Sequence, residues 1–205
     1  MNDPTSHTHA AEVDLVLAST SPYRRQLLER LQLRFRTLAP SVDESPQPDE
    51  APIALARRLA NAKAHSAART CPGALVIGSD QVAQIEDRAL GKPDSAEAAR
   101  AQLAAASGKA VQFHTALCLV DTRGQMWHEQ CALDTTRVTF RSLTTDEIAR
   151  YVATEQPLDC AGSFKVEGFG ITLLERVDSA DPSALIGLPL IALTRLLRGA
   201  GLALP

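Results

Sequence analysis

Three features of the 205-residue chain predict an α/β fold built on a mixed β-sheet. Two short apolar runs, Leu15-Val16-Leu17-Ala18 and Ala74-Leu75-Val76-Ile77-Gly78, have the continuous hydrophobicity of strands buried on both faces. Between and after them lie segments with helix-start signals and helical apolar spacing. From Val111 to Leu119 the apolar period changes to two, and a second run, about Met126 to Arg141, can return antiparallel beside it. No internal repeat is present. This mixture of periods favours a mixed sheet over a purely parallel one.

Residues 1–12 are polar and aperiodic and read as a disordered tail, in which His7 and His9 are solvated. Order is expected from residue 13 to 205 as one domain, since the length fits a single unit at about 150 residues per domain. A chain of this size buries about 70% of its unfolded surface, enough for an independent core. Five Phe, two Tyr and one Trp against 45% hydrophobic residues make that core aliphatic and alanine-rich.

The first apolar run is followed at once by Ser19-Thr20-Ser21-Pro22, where Ser21 suits an N-cap and Pro22 the first helical position. Leu27, Leu28 and Leu31 give that helix its inner stripe. Leu33, Phe35 and Thr37 alternate with arginines as in a half-exposed strand, before a loop at Pro40–Pro46. Pro52 opens a second helix, to about Arg69, with Leu55, Leu59 and Ala62 on its apolar side. The Ala74–Gly78 strand is expected to end at Ser79-Asp80-Gln81, and Gly91-Lys92-Pro93 to form a loop. Asp94 and Glu97 have capping-box spacing for a helix that stops at Gly108. Thr144 and Glu147 repeat that spacing ahead of a helix through Tyr151. A glycine-rich stretch, Gly162–Gly170, precedes an expected strand at Ile171–Leu174, and Pro189 opens a last helix with Leu193, Leu196 and Leu197 inward.

The 21 basic and 24 acidic side chains give a net charge of -3. That balance argues against sequence-independent nucleic-acid binding, which needs a basic face, but permits a small anionic substrate. No apolar run is long enough to span a bilayer and no signal-type segment opens the chain, so no membrane partner is expected and a cytoplasmic location is. Cys71, Cys118, Cys131 and Cys160 lack zinc-type spacing and are expected to be reduced thiols. His65, His114 and His128 are read as structural or surface residues.

Three features exceed what structure alone asks for. Ser19-Thr20-Ser21-Pro22-Tyr23-Arg24-Arg25 joins a strand to a helix, and helix N-terminal N–H groups attract anions. Arginines there would otherwise oppose the helix dipole. Neither a dinucleotide fingerprint nor a P-loop is present. Asp80 sits at the expected end of a buried strand, where ligands of open α/β sheets gather. Finally, Asp43-Glu44, Lys63, Lys92 in Gly-Lys-Pro, and Lys165 with Glu167 combine carboxylates for a hard cation with lysines for phosphate oxygens.

In order and spacing, Leu17–Arg25, Val42-Asp43-Glu44, Ile77–Gln81, Gly91-Lys92-Pro93 and Gly162–Gly168 resemble the Maf family of nucleoside triphosphate pyrophosphatases. The likeness covers residues from about 14 to 198. It implies an elongated mixed sheet with flanking helices and two lobes around a nucleotide cleft, similar to the inosine triphosphatases, together with a divalent metal (Mg, Mn or Co) and a homodimer. By the same resemblance Asp80 is the catalytic proton acceptor. Ser19, Arg24, Lys63, Lys92 and Lys165 bind phosphate, and Glu44 joins Asp80 at the metal. The implied reaction splits the α–β phosphoanhydride. Tyr23, Gln81 and Glu167 match the positions that set base preference and resemble the branch acting on 7-methyl-GTP, where Trp is typical in place of Tyr23. A pyrophosphatase for other non-standard nucleotides or for the pyrimidine nucleotides dTTP and UTP, or a nucleotide-binding regulator of septum formation, are the alternative expectations.

Overall fold

Leu15 to Ala18 are buried in β1 (Asp14–Ala18), and the chain leaves this strand straight into α1 (Pro22–Glu29). The start of α1 follows from local chemistry. The Ser21 hydroxyl accepts from the Arg24 amide at 3.4 Å, and Pro22 occupies a position whose N–H has no helical partner. The alternation around Phe35 yields only the short edge strand β2 (Arg36–Leu38). Next come α2 (Pro52–Ala68), β3 (Ala74–Ile85), β4 (Arg88–Leu90), α3 (Ala96–Ala106), β5 (Ala110–Asp121), β6 (His128–Phe140), α4 (Thr145–Glu155), β7 (Leu174–Asp178) and α5 (Leu190–Gly199). The computed structural model describes residues 13–205; the tail expected over 1–12 lies outside the described residues.

The strands form one seven-stranded sheet in the order β2-β1-β3-β5-β6-β7, with β4 added to β3. Pairs β1–β2 and β1–β3 are parallel and the others antiparallel, so the sheet is mixed, as the two apolar periods predict. One face of β1 and β3 packs Val16, Ala18 and Val76 against Ala64, Ala67 and Ala68 of α2. On the opposite face Leu15, Leu17, Leu75 and Ile77 meet Leu27 and Leu28 of α1 and Leu193, Leu196 and Leu197 of α5. Further along the long strands, Ala83, Ile85, Val111, Phe113 and Phe140 pack with Leu103, Ile148 and Tyr151 of α3 and α4. Two helix layers thus occupy one face at opposite ends, giving two lobes. No helix among the described residues is long and apolar enough to cross a membrane.

Four expectations are corrected. β3 does not end at Ser79–Gln81: β5 pairs with it through Gln84, and the Ser79 and Gln81 side chains donate to the carbonyls of Ala116 in β5 and Ala184. The cap of α3 is Ser95, not Asp94; Ser95 is extended and its hydroxyl accepts from the Ala98 amide at 3.1 Å. Ile171–Leu174 is no strand. Residues Phe169–Leu173 make a tight 3₁₀ segment, and the strand runs Leu174–Asp178. Close approach fixes that turn, since a Cβ on Gly170 would lie 2.3 Å from the Lys165 carbonyl oxygen. Finally, Cys118 and Cys131 are joined as a disulfide, whereas Cys71 and Cys160 are free. The two are directly opposite in the β5–β6 register, a proximity that their thirteen-residue separation does not reveal. The capping box at Thr144 and Glu147 is present as expected.

Candidate active site

The sheet leaves one stretch of β3 open on one edge. The last β1 pairing is Ala18 with Gly78, and β4 begins to pair only at Ala83, so Ser79 to Val82 face neither strand on that side. A cavity of about 570 Å³ opens there, within the range of small-molecule sites. Asp80 is therefore in mid-strand, and it reaches the cavity because its neighbour β1 stops two residues earlier.

Gly78 sets the distance between β3 and α2. A Cβ at this position would lie 2.3 Å from the Ala60 carbonyl oxygen and 2.5 Å from the Ala64 amide nitrogen, so only glycine lets the helix backbone rest on the strand. That contact delivers Lys63 of α2 to the same face. Its buried Nζ lies 2.6 Å from Asp80 Oδ1 and 2.8 Å from Glu44 Oε1. Burial opposes the charge on Glu44, but the hydrogen bond and charge of Lys63, helped by Lys92 and Arg24, hold its carboxyl below the usual range.

The turn from β1 into α1 is assembled around these groups. Ser19 is buried and its hydroxyl accepts from the Ser21 amide at 3.1 Å. Arg24 Nε donates to the Gly187 carbonyl at 2.9 Å, as does Ser79 Oγ at 3.0 Å. Burial lowers the Arg24 pKa, partly offset by Asp80 and Glu44. Lys92, in the loop after β4, lines the same cavity.

Tyr23, Gln81 and Glu167 line the other part of the cavity. Gln81 Nε2 donates to the carbonyls of Ala184 (2.9 Å) and Leu185 (3.0 Å) and to Thr115 Oγ1 (2.9 Å), whose own hydroxyl hydrogen goes to Ala184. All three are acceptors, so the amide nitrogen must face them and the carbonyl oxygen points the other way. The Tyr23 hydroxyl donates to Asp159 Oδ2 at 3.0 Å. Burial raises the pKa of Glu167.

The structure thus brings Ser19, Tyr23, Arg24, Glu44, Lys63, Asp80, Gln81, Lys92 and Glu167 to one cavity. Lys165 sits beside it. Its Nζ is 3.1 Å from Asp159 Oδ1 and 5.8 Å from the Tyr23 ring centre, so it supports the Tyr23–Asp159 contact rather than lining the space. Burial works against its charge, but the Tyr23 hydroxyl and the Asp159 carboxylate outweigh that and raise its pKa. Asp159 and Gly187 also line the cavity and Thr115 holds Gln81, and none of the three stands out in the sequence. Asp159 carries no signal beyond an acid near Pro157, and Gly187 acts through its carbonyl. Cys160 also lines the cavity, but burial pushes its thiol up to about 12, which leaves it protonated and a poor nucleophile.

The donor set fits a hard divalent cation: Asp80 and Glu44 already converge on one positive group, the Lys63 ammonium, and both are oxygen donors at the cavity.

The Maf-like protein family model matches residues 14–200. The chain belongs to the Maf family. A protein of Xanthomonas oryzae pv. oryzae (strain MAFF 311018) named 7-methyl-GTP pyrophosphatase is 58% identical over 191 residues, covering 93% of this chain and 98% of its own. Another so named, from Burkholderia pseudomallei (strain K96243), is 55% identical over 190 residues, covering 91% of this chain and 87% of its own. The Maf match and the cavity coincide, since every cavity residue falls within the matched span.

Proposed function

We propose that this Maf protein hydrolyses 7-methyl-GTP to 7-methyl-GMP and pyrophosphate. The observation that carries the reading is the convergence of Asp80, Lys63 and Glu44 beside the Arg24 turn, in a chain 58% identical to a protein of that name. Phosphoryl chemistry depends on positioning and charge neutralisation, and these groups supply both.

In this reading Ser19, Arg24 and Lys92 hold the phosphate oxygens, with the α-phosphorus facing Asp80. Asp80 accepts a proton from the attacking water, whose oxygen bonds to the α-phosphorus as the bond to the bridging oxygen breaks and pyrophosphate leaves. Lys63 orients Asp80 for that transfer, at 2.6 Å. Glu44 and Asp80 are the residues that would hold a divalent cation such as Mg, Mn or Co, which would supply charge neutralisation and a more acidic water. Lys165 contributes positive charge from behind Tyr23.

At the base, N7-methylguanine carries a positive charge, and stacking on Tyr23 contributes about 0.5–2 kcal/mol. Gln81 Oε1 and Glu167 accept from the guanine N–H groups. The substrate is a free nucleotide rather than nucleic acid or a membrane component, the location is cytoplasmic, and a homodimer is the expected assembly. Pyrophosphate release from 7-methyl-GTP, GTP, dTTP and UTP, each with Mg, Mn or Co, tests the reading: 7-methyl-GTP should give the highest kcat/KM. A preference for dTTP or UTP overturns it.

A further inference from the structure

On the face of the sheet that packs α2, away from the nucleotide cavity, four potential ligand side chains meet. Cys118 of β5 is buried and Cys131 of β6 exposed, directly opposite each other. Glu129, two residues before Cys131 and therefore on the same face, brings its Oε1 to 3.4 Å from Cys131 Sγ. The Cys118, Cys131 and Glu129 ligand atoms all lie within 4.8 Å of one another. Glu129 is held from behind, since its Oε2 is 2.5 Å from Nε2 of His65 on α2, and Trp127 packs against that imidazole with ring centres 5.9 Å apart. Asn61 Nδ2, also from α2, points at Cys118 Sγ at 3.8 Å. None of these residues lines the nucleotide cavity.

We propose that in the reduced protein Cys118, Cys131 and Glu129 form a binding site for a thiophilic divalent cation of the zinc type, with His65 orienting Glu129. Two thiolates and a carboxylate match the ligand preference of such an ion, and the exposure of Cys131 and Glu129 leaves a fourth position for water. His65 stands to Glu129 as outer partners stand to metal ligands, fixing one oxygen while the other binds. The oxidised and metal-bound forms exclude each other. A dithiol or phosphine reductant supplies two electrons, the Sγ–Sγ bond breaks, each sulfur gains a proton, and the incoming cation displaces both protons. Through the His65–Glu129 contact, the bound ion would tie α2, the helix that carries Lys63, to strands β5 and β6.

The full chain, reduced with a phosphine and desalted without oxygen, should be titrated with cobalt(II). One equivalent should produce a near-ultraviolet sulfur-to-cobalt charge-transfer band, which the all-oxygen donors Glu44 and Asp80 cannot give. Zinc should displace it. The band should be absent from the oxidised chain and from Cys131→Ser, and His65→Ala should weaken binding about 10- to 100-fold. Zinc should also protect Cys131 of the unmutated reduced chain from alkylation, a readout independent of any variant's folding. No charge-transfer band in the reduced chain, a band that survives Cys131→Ser, or alkylation unaffected by zinc would each overturn the proposal.

Discussion

Lys63 Nζ lies 2.6 Å from Asp80 Oδ1, and both side chains are more than nine-tenths buried. Neither residue is adjacent to the other in sequence; the pair exists because Gly78 lets α2 touch β3. If Asp80 accepts the proton from water, Asp80→Asn should keep the fold and the size of the side chain while lowering kcat by about 10²- to 10⁴-fold. Pyrophosphate release at saturating nucleotide, with circular dichroism as the folding control, measures this. Unchanged turnover removes Asp80 from the mechanism.

Lys63→Met should cost stability, because Asp80 and Glu44 would be left together without their shared cation. Breaking a buried pair costs about 3–5 kcal/mol, and the half-exposed Glu44, which water can reach, puts the expected loss near the lower end. A urea midpoint equal to that of the unmutated chain contradicts the pairing. Divalent cation should recover part of the loss if Glu44 and Asp80 hold it.

Gly78→Ala tests the contact between strand and helix. The added Cβ has no room between the Ala60 carbonyl and the Ala64 amide, so α2 must move and take Lys63 with it. A loss of about 1–3 kcal/mol is expected, together with reduced kcat. Retention of both would mean that the helix moves without disturbing Lys63.

Tyr23→Ala should raise KM for 7-methyl-GTP more than for GTP, since only the methylated base carries the charge that the ring attracts. At about 0.5–2 kcal/mol the difference is roughly 2- to 30-fold. Tyr23→Phe, which keeps the ring but loses the bond to Asp159, should fall between. Equal effects on the two nucleotides exclude cation stacking.

Acid should destabilise the protein through two carboxylates remote from the cavity. The Arg58 guanidinium, joined by the Gln47 amide, lowers Glu50 from 4.5 to about 2; the Thr144 amide, joined by Arg141, does the same for Glu147. Both values are depressed in the folded chain, so their contribution is complete above about pH 4.5 and is lost as pH falls towards 2. Urea midpoints across this window should fall in the unmutated chain and fall less in Glu50→Gln and Glu147→Gln.

The chain alone determined its α/β class, the Ser21 cap, the Thr144–Glu147 box and nine of the side chains that line the cavity, because these depend on local chemistry and on short motifs whose spacing survives in one dimension. The end of a strand was less legible. β3 continues past Asp80 because β5 pairs with it there, and no local signal reports a partner that far away. Tertiary structure alone decided that β1 stops short to open the cavity, that Gly187 offers a carbonyl to Arg24, that Asp159 holds Tyr23 with Lys165 behind it, and that Cys118 faces Cys131. Each of these depends on elements far apart in sequence being packed together; strand pairing sets the Cys118–Cys131 contact, and the packing of helices and loops around the sheet sets the others.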